Sequence, residues 1–333
     1  MSATSLLAPL RRGIRLGGAC ALASLCCLVL PAKAQNYPSK PITIVVPFAA
    51  GGASDITARL IGQELSSNLH TPVVVDNKPG ANSQIGTAFV VRSAADGYTL
   101  LMGTTSLINN VHFYPQMPYD ASRSLAPVVG VVDVPAFLLV GGKVKEKTAK
   151  DFVAMAAKSG TSLNYASAGA GSTLHLAAEW FKSVVGFQAQ HVPLKGSGPA
   201  VTSVAAGETD FSFENLGPAQ PQIDAGRVRV LAIAAPKRFP TLPNVPTLKE
   251  AGLPDVDLSS WFVLMTPTGT PPAVVQTLNQ EVNKALAKPE IRNRLLKLGL
   301  VPLGGTTEQL ATRMQQDSGK WGSIIRSANI KLD

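Results

Sequence analysis

The 333-residue chain carries 30 Lys and Arg against 21 Asp and Glu, a net charge of +9, and three cysteines. Four of the basic residues (Arg11, Arg12, Arg15, Lys33), none of the acidic ones and all three cysteines (Cys20, Cys26, Cys27) fall in the first 34 positions. What remains, 26 basic against 21 acidic residues and no cysteine, excludes disulfides, thiol nucleophiles and cysteine metal sites, and it has no aromatic-interleaved basic stripe for nucleic acid.

The N-terminus reads as a secretion signal. A basic stretch, an apolar run from Ala19 to Leu30 and the small-x-small pattern Ala32-Lys33-Ala34 place cleavage after Ala34, with Gln35 as the first mature residue. The apolar run is too short to span a bilayer, and no later segment is long enough, so a soluble periplasmic protein is expected. Strand-like segments follow at 42–46, 73–76, 100–102, 127–132, 137–140, 211–213, 228–234 and 261–266. Helical patterns lie at 55–68, 84–94, 148–158, 173–185, 198–206, 217–225, 272–287, 290–298 and 307–326. The alternation predicts an α/β protein with mainly parallel sheets. About 300 mature residues are near the upper limit for one core, so two lobes are expected. The apolar strands near 130–140 and 257–266 are candidate crossings. They give a discontinuous first lobe, 35–140 plus 257–333, and an inserted second lobe, 141–256.

Two segments share one design. The β-branched run Ile42 to Val46 ends at Pro47 and leads through Phe48, Ala49, Ala50, Gly51 and Gly52 to a helix start that Ser54 or Asp55 can cap. Asn164-Tyr165-Ala166-Ser167 leads through Ala168, Gly169, Ala170, Gly171, Ser172 and Thr173 into an amphipathic helix stopped by Gly186. The first amides of a helix lack internal partners and carry the positive end of the dipole, so they attract anions without a cation. Each turn alone is ordinary βα punctuation; as a pair they can pinch a carboxylate between lobes. Asp55 is expected to hold the first loop from behind, and His175 to contact ligand or bond locally. Thr104, Thr105 and Ser106, then Lys195 to Gly198, and Glu214 with Asn215 are further cleft candidates that also read as plain turns. No set of catalytic residues, metal ligands or cofactor fingerprint is present. A hydrolase built on Ser172 and His175 lacks an orienting third group.

Six segments, taken in order, resemble the extracytoplasmic solute receptors of the tripartite tricarboxylate transporters, often called Bug proteins. They are Tyr37-Pro38-Ser39-Lys40-Pro41-Ile42, Pro47 to Asp55, Asn77-Lys78-Pro79-Gly80-Ala81, Asp96-Gly97-Tyr98-Thr99-Leu100, Ser167 to Ser172 and Pro243-Asn244-Val245-Pro246-Thr247. The resemblance implies a two-lobed, flytrap-like periplasmic-binding-protein fold of type II with two hinge strands. It implies no catalysis and no cofactor. The two glycine loops, Phe48 to Asp55 and Ser167 to Thr173, then grip a small carboxylate such as an organic acid, amino acid or aromatic acid. The partner is a membrane permease or a sensor kinase, and the receptor is expected to be a monomer that binds no nucleic acid. Asn82 and Ser83, where the family usually has further glycine, and Glu214, where a shorter Asp is common, are departures that bear on ligand choice.

Overall fold

A computed structural model describes residues 37–114, 116–158, 162–328 and 330. The secretion signal expected over residues 1–34 and its expected cleavage point lie outside the described residues. Among those described, no helix is long and apolar enough to cross a membrane.

The elements run β1 (Ile42–Val46), α1 (Ala53–Leu69), β2 (Val73–Asn77), α2 (Gln84–Val91), β3 (Thr99–Thr104), α3 (Ser106–Phe113), α4 (Ala121–Ser124), β4 (Leu125–Val134), β5 (Phe137–Gly141), α5 (Ala149–Lys158), β6 (Asn164–Ser167), α6 (Thr173–Val185), β7 (Gln190–Pro193), α7 (Ser197–Ala206), β8 (Phe211–Glu214), α8 (Leu216–Asp224), β9 (Val228–Ile233), β10 (Ser260–Pro267), α9 (Pro272–Ala287), α10 (Pro289–Lys297), β11 (Val301–Gly304) and α11 (Thr307–Ser327). They build two sheets, ordered β11-β4-β10-β3-β1-β2 and β7-β6-β8-β5-β9.

The expectation of mainly parallel sheets needs correction. β1 runs parallel to β2 and β3, and β6 parallel to β7 and β8, but β10 is antiparallel to both β3 and β4, and β5 antiparallel to both β8 and β9. The reason is topological. The chain leaves the first sheet along β4 and returns to it along β10, so these long neighbours must point in opposite directions. β5 follows β4 after only Pro135 and Ala136, yet it hydrogen-bonds entirely within the second sheet. The crossing segments are bonded together: Ala234 donates to the Ala136 carbonyl at 2.9 Å, and Leu258 donates to the Ala234 carbonyl at 2.9 Å.

β1 is a buried β-branched strand with partners on both sides, which suits a parallel sheet covered on both faces. α6 is capped at both ends: the Ser172 side chain accepts from the His175 amide, and Gly186 takes the left-handed conformation at the C-terminus. α11 opens with a capping box of Thr306 and Gln309. Its Trp321, Ile324 and Ile325 join a buried apolar cluster that spans both sheets, from Val45, Leu101 and Val263 to Phe152, Tyr165 and Phe211. Beneath β10, the fully buried Trp261 donates to Asp317 at 3.0 Å, and Lys320 pairs with the same carboxylate.

Candidate ligand-binding site

The first loop leaves β1 where its β-branched run ends at Pro47. The helix boundary differs from expectation. Gly52 is the N-cap and receives no side-chain hydrogen bond, while Ser54 and Asp55 lie inside the first turn. Asp55 instead reaches back: its carboxylate accepts the Gly51 amide at 2.9 Å and pairs with Arg59 at 2.9 Å. Arg59 also donates to Asn77, whose amide in turn donates to the Phe48 carbonyl at 3.1 Å. Burial raises the Asp55 carboxyl, but Arg59, the Gly51 amide and Asn77 outweigh it and hold it below the ordinary carboxylate range. Ala49, Gly51 and Gly52 thus form an exposed, uncapped helix entrance on a fixed base.

Gly86 sets the height of this base. A Cβ there would stand 2.8 Å from the Lys78 carbonyl and 2.9 Å from the Pro47 Cα, both backbone atoms. Gly86→Ala is therefore expected to push the Pro47 loop outward and weaken ligand binding about tenfold, some 1.4 kcal/mol, in a chain that still folds. Calorimetric titration beside a melting curve checks this; an unchanged dissociation constant would show that the contact does not set the loop.

The second loop is held by an aromatic and hydroxyl stack that spacing alone did not reveal. The Ser167 hydroxyl bonds His191 Nε2 at 2.6 Å and accepts the Gly169 amide at 3.2 Å. His175 Nδ1 accepts the Gly171 amide at 3.1 Å. The two imidazoles stack at 4.0 Å between centroids, His191 stacks on Tyr165 at 4.9 Å, and Tyr165 bonds Glu179, which pairs with Lys182. His175 is 5% exposed. Burial, and secondarily the neighbouring His191, push it down to about 4, so it stays neutral and its Nδ1 remains an acceptor. Ser172 Oγ meets the His175 amide, and His175 Nδ1 meets the Gly171 amide, so each group is occupied in shaping the loop.

A third segment leaves the end of β3. Thr104 and Ser106 share a hydroxyl bond at 2.7 Å, and Ser106 bonds Ser83 at 2.7 Å. Ala81, Asn82 and Ser83 all have positive φ (46°, 47° and 76°). Each such non-glycine residue costs about 1 kcal/mol, and the turn is held by Asn82 and Asn110, which exchange two bonds of 2.8 Å. Asn82 is thus an anchor of a strained turn. Thr105 Oγ1 bonds Thr173 Oγ1 at 2.9 Å, joining the turn after β3 in the first sheet to the start of α6 beside the second. Ala168, Gly169 and Thr173 belong to the second entrance, all half-buried. Glu214 and Asn215 lie at the end of β8: Asn215 donates to the Pro135 carbonyl at the crossing, and Glu214 is fully buried. Sequence reasoning missed Asn77, Asn110, His191 and Tyr165. The Asn77-Lys78-Pro79-Gly80-Ala81 motif was the one signal that pointed near them. No metal-ligand cluster occurs among the described residues.

A separate apolar cavity of about 720 Å³ lies between α3, β4 and α11, lined by Leu107, Ile108, Val111, Met265 and Met314 with His112 and Arg326. None of the loop residues above lines it.

A two-sheet α/β fold, with one braced glycine-rich helix entrance after β1 and another after β6, is that of the periplasmic-binding-protein class. The chain belongs to the tripartite tricarboxylate transporter receptor family, whose description it matches over residues 57–330. It is 34% identical over 307 residues to protein BugT of Bordetella pertussis, covering 92% of this chain and 94% of that one. Among solved structures, Rpa4515 of R. palustris with adipate is 33% identical, with a TM-score of 0.82, covering 89% of this chain and 99% of that one. MatC of Rhodopseudomonas palustris with bound malate is 31% identical, with a TM-score of 0.76, covering 87% of this chain and 100% of that one.

Proposed function

We propose that the mature chain, cut after Ala34, captures a small carboxylate in the periplasm and delivers it to a membrane permease. The observation that carries this reading is the pair of glycine-rich helix entrances, after β1 and after β6, with the turn after β3 tied to the second of them by the Thr105–Thr173 bond. Backbone amides at two helix starts favour an anion from both sides, and an anion needs no cationic side chain there. Sheet membership supports lobes divided at residues 135–136 and within 234–259, with the linked segments at Ala136, Ala234 and Leu258 as the hinge. Closure follows from tighter binding of the ligand in the closed form than in the open one. Capture without conversion is supported by Ser172 Oγ and His175 Nδ1, which accept the loop's own His175 and Gly171 amides rather than facing each other as nucleophile and base. The residues we assign to the ligand are Phe48 to Gly52, Ser54, Thr105 and Ala168 to Thr173. Asp55, Asn82, Ser167 and His175 serve as supports.

The test uses mature protein unfolded, stripped of ligand and refolded. A panel of carboxylates, amino acids and neutral amides is screened by thermal shift, and hits are followed by small-angle scattering. At a hundredfold excess over the dissociation constant, a true ligand adds about 2.7 kcal/mol, or about 5 °C for a chain of this size. A carboxylate that raises the melting temperature and compacts the protein is expected. Shifts with neutral or cationic compounds alone would overturn the anion assignment, and tight binding without compaction would overturn closure.

A further inference from the structure

We propose that Glu214 acts as a protonated acid which, with the α7 entrance Lys195 to Gly198, receives a second anionic group of the ligand, so that capture of a diacid is coupled to proton uptake. This rests on the receptor reading above and deepens it.

The topology places a third helix start beside the second loop. β6 and β7 are parallel, with Ser167 opposite Pro193, so the turns leading to α6 and α7 emerge side by side from the same sheet edge. The α7 entrance is open. Gly196, its N-cap, has φ 111° and no side-chain cap, and a Cβ at Gly196 or Gly198 would meet nothing within 4 Å. Lys195 is exposed and forms no ion pair among the described residues. A helix start alone makes no site. Here an independent group lies against it. Glu214 has no exposed surface, and neither carboxyl oxygen has a hydrogen-bond partner. The Ser197 hydroxyl, on the first residue of α7, and the Asn215 amide lie near enough to favour the ionised carboxyl, but neither completes a hydrogen bond to it.

A buried, unpartnered carboxylate costs several kcal/mol, so the group keeps its proton instead. The charged groups of the elements packed on β8 are committed elsewhere: on α6, Lys182 pairs with Glu179, and His175 accepts the Gly171 amide. β5, β6 and α7 contain no ionisable acid, base or guanidinium other than Tyr165, and Glu214 is the sole charged residue of β8. Arg229 on β9 is directed to the Val144 and Glu146 carbonyls, and Asp224 stands at the far end of α8. His191 on β7 bonds Ser167, and Lys195 lies in the turn directly ahead of α7. Burial accordingly pushes Glu214 up to about 8. At neutral pH the acid is a donor. An ionised Glu214 repels an anion at the α7 entrance; a protonated one donates to it. The first carboxylate sits at the amides of the β6–α6 loop, and the second, on a short aliphatic chain, reaches Ser197, Gly198 and Glu214.

The test is calorimetric titration of the mature full chain with succinate, malate and adipate, and with butanoate and hexanoate as one-carboxylate counterparts. Titrations run from pH 6 to 9 in two buffers of different ionisation enthalpy, which counts protons. The expected result is that a diacid outbinds its monoacid at least tenfold at pH 6, takes up a proton near pH 8.5, and loses about tenfold in affinity per pH unit above 8. Glu214→Gln, which keeps a donor but cannot titrate, should bind within about threefold of the parent at pH 7 with no proton uptake and a flat profile. Lys195→Ala should weaken diacids and leave monoacids unchanged. A flat profile without proton uptake in the parent, or the same profile in Glu214→Gln, overturns the assignment. Monoacids binding as well as diacids overturn it while leaving the receptor reading intact; absence of binding by every carboxylate overturns both.

Discussion

Gly141→Ala should cost about 3 kcal/mol, at the upper end of overpacking effects, and lower the melting temperature by roughly 6 °C. Gly141 ends β5 beneath α7, and a Cβ there would stand 2.1 Å from the Val204 carbonyl oxygen and 3.1 Å from its carbon. That neighbour is backbone, with no rotamer to give way, so α7 must move by more than 1 Å to restore an ordinary contact. The move draws Ala200, Val201 and Val204 away from Phe137 and Leu139, with which they form one buried cluster. The adjacent Gly142 is the control: a Cβ there meets nothing within 4 Å, and Gly142→Ala should change stability by no more than about 0.5 kcal/mol. Paired denaturant titrations decide the matter. Equal midpoints for the two variants would show that α7 rests loosely on β5.

The second large effect is a loss of stability in acid carried by His175. Burial holds the ring at about 4, whereas the unfolded chain keeps the ordinary value near 6.5. Between those values the unfolded chain takes up a proton and the folded chain does not. His175 therefore leaves stability intact above about pH 6.5 and lowers it steadily as the pH falls toward 4, by about 3 kcal/mol in total. Protonation of the folded chain, which sets in only near pH 4, also removes the acceptor for the Gly171 amide, so the second loop should loosen there. Glu214 works in the opposite sense. Its folded value of about 8 lies above the ordinary 4.5, so its contribution is full below about 4.5 and is lost as the pH rises through 8. The parent curve mixes the two effects, so the informative quantity is the difference between the parent and His175→Gln. The parent should lose about 3 kcal/mol relative to the variant between pH 6.5 and 4. A difference that stays constant with pH would show that His175 charges freely in the folded protein.

The sequence by itself settled the local architecture. β-branched runs, periodic apolar faces and glycine stops located β1, α1, α6, α9 and α11 to within about two residues, because those signals reside in neighbouring positions. The order of motifs settled the family. The glycine entrances were legible for the same local reason, since small residues ahead of a capped helix mark a loop whatever surrounds it. Short elements escaped: α3, β7 and β11 carry too few residues for a period to show, and β7 mixes Gln190, His191 and a Pro. Only the tertiary structure decided what the polar residues do. It set His191 on His175, Asn82 on Asn110, Asp55 behind Gly51 and Glu214 against α7, over separations from four residues to 28. The same holds for the mixed sheets, whose antiparallel pairs follow from the chain's out-and-back path rather than from any strand's composition. A hydrogen bond between distant side chains leaves no period or cap in the sequence, and burial, which fixes whether His175 and Glu214 are charged, exists only once the sheets and helices have packed.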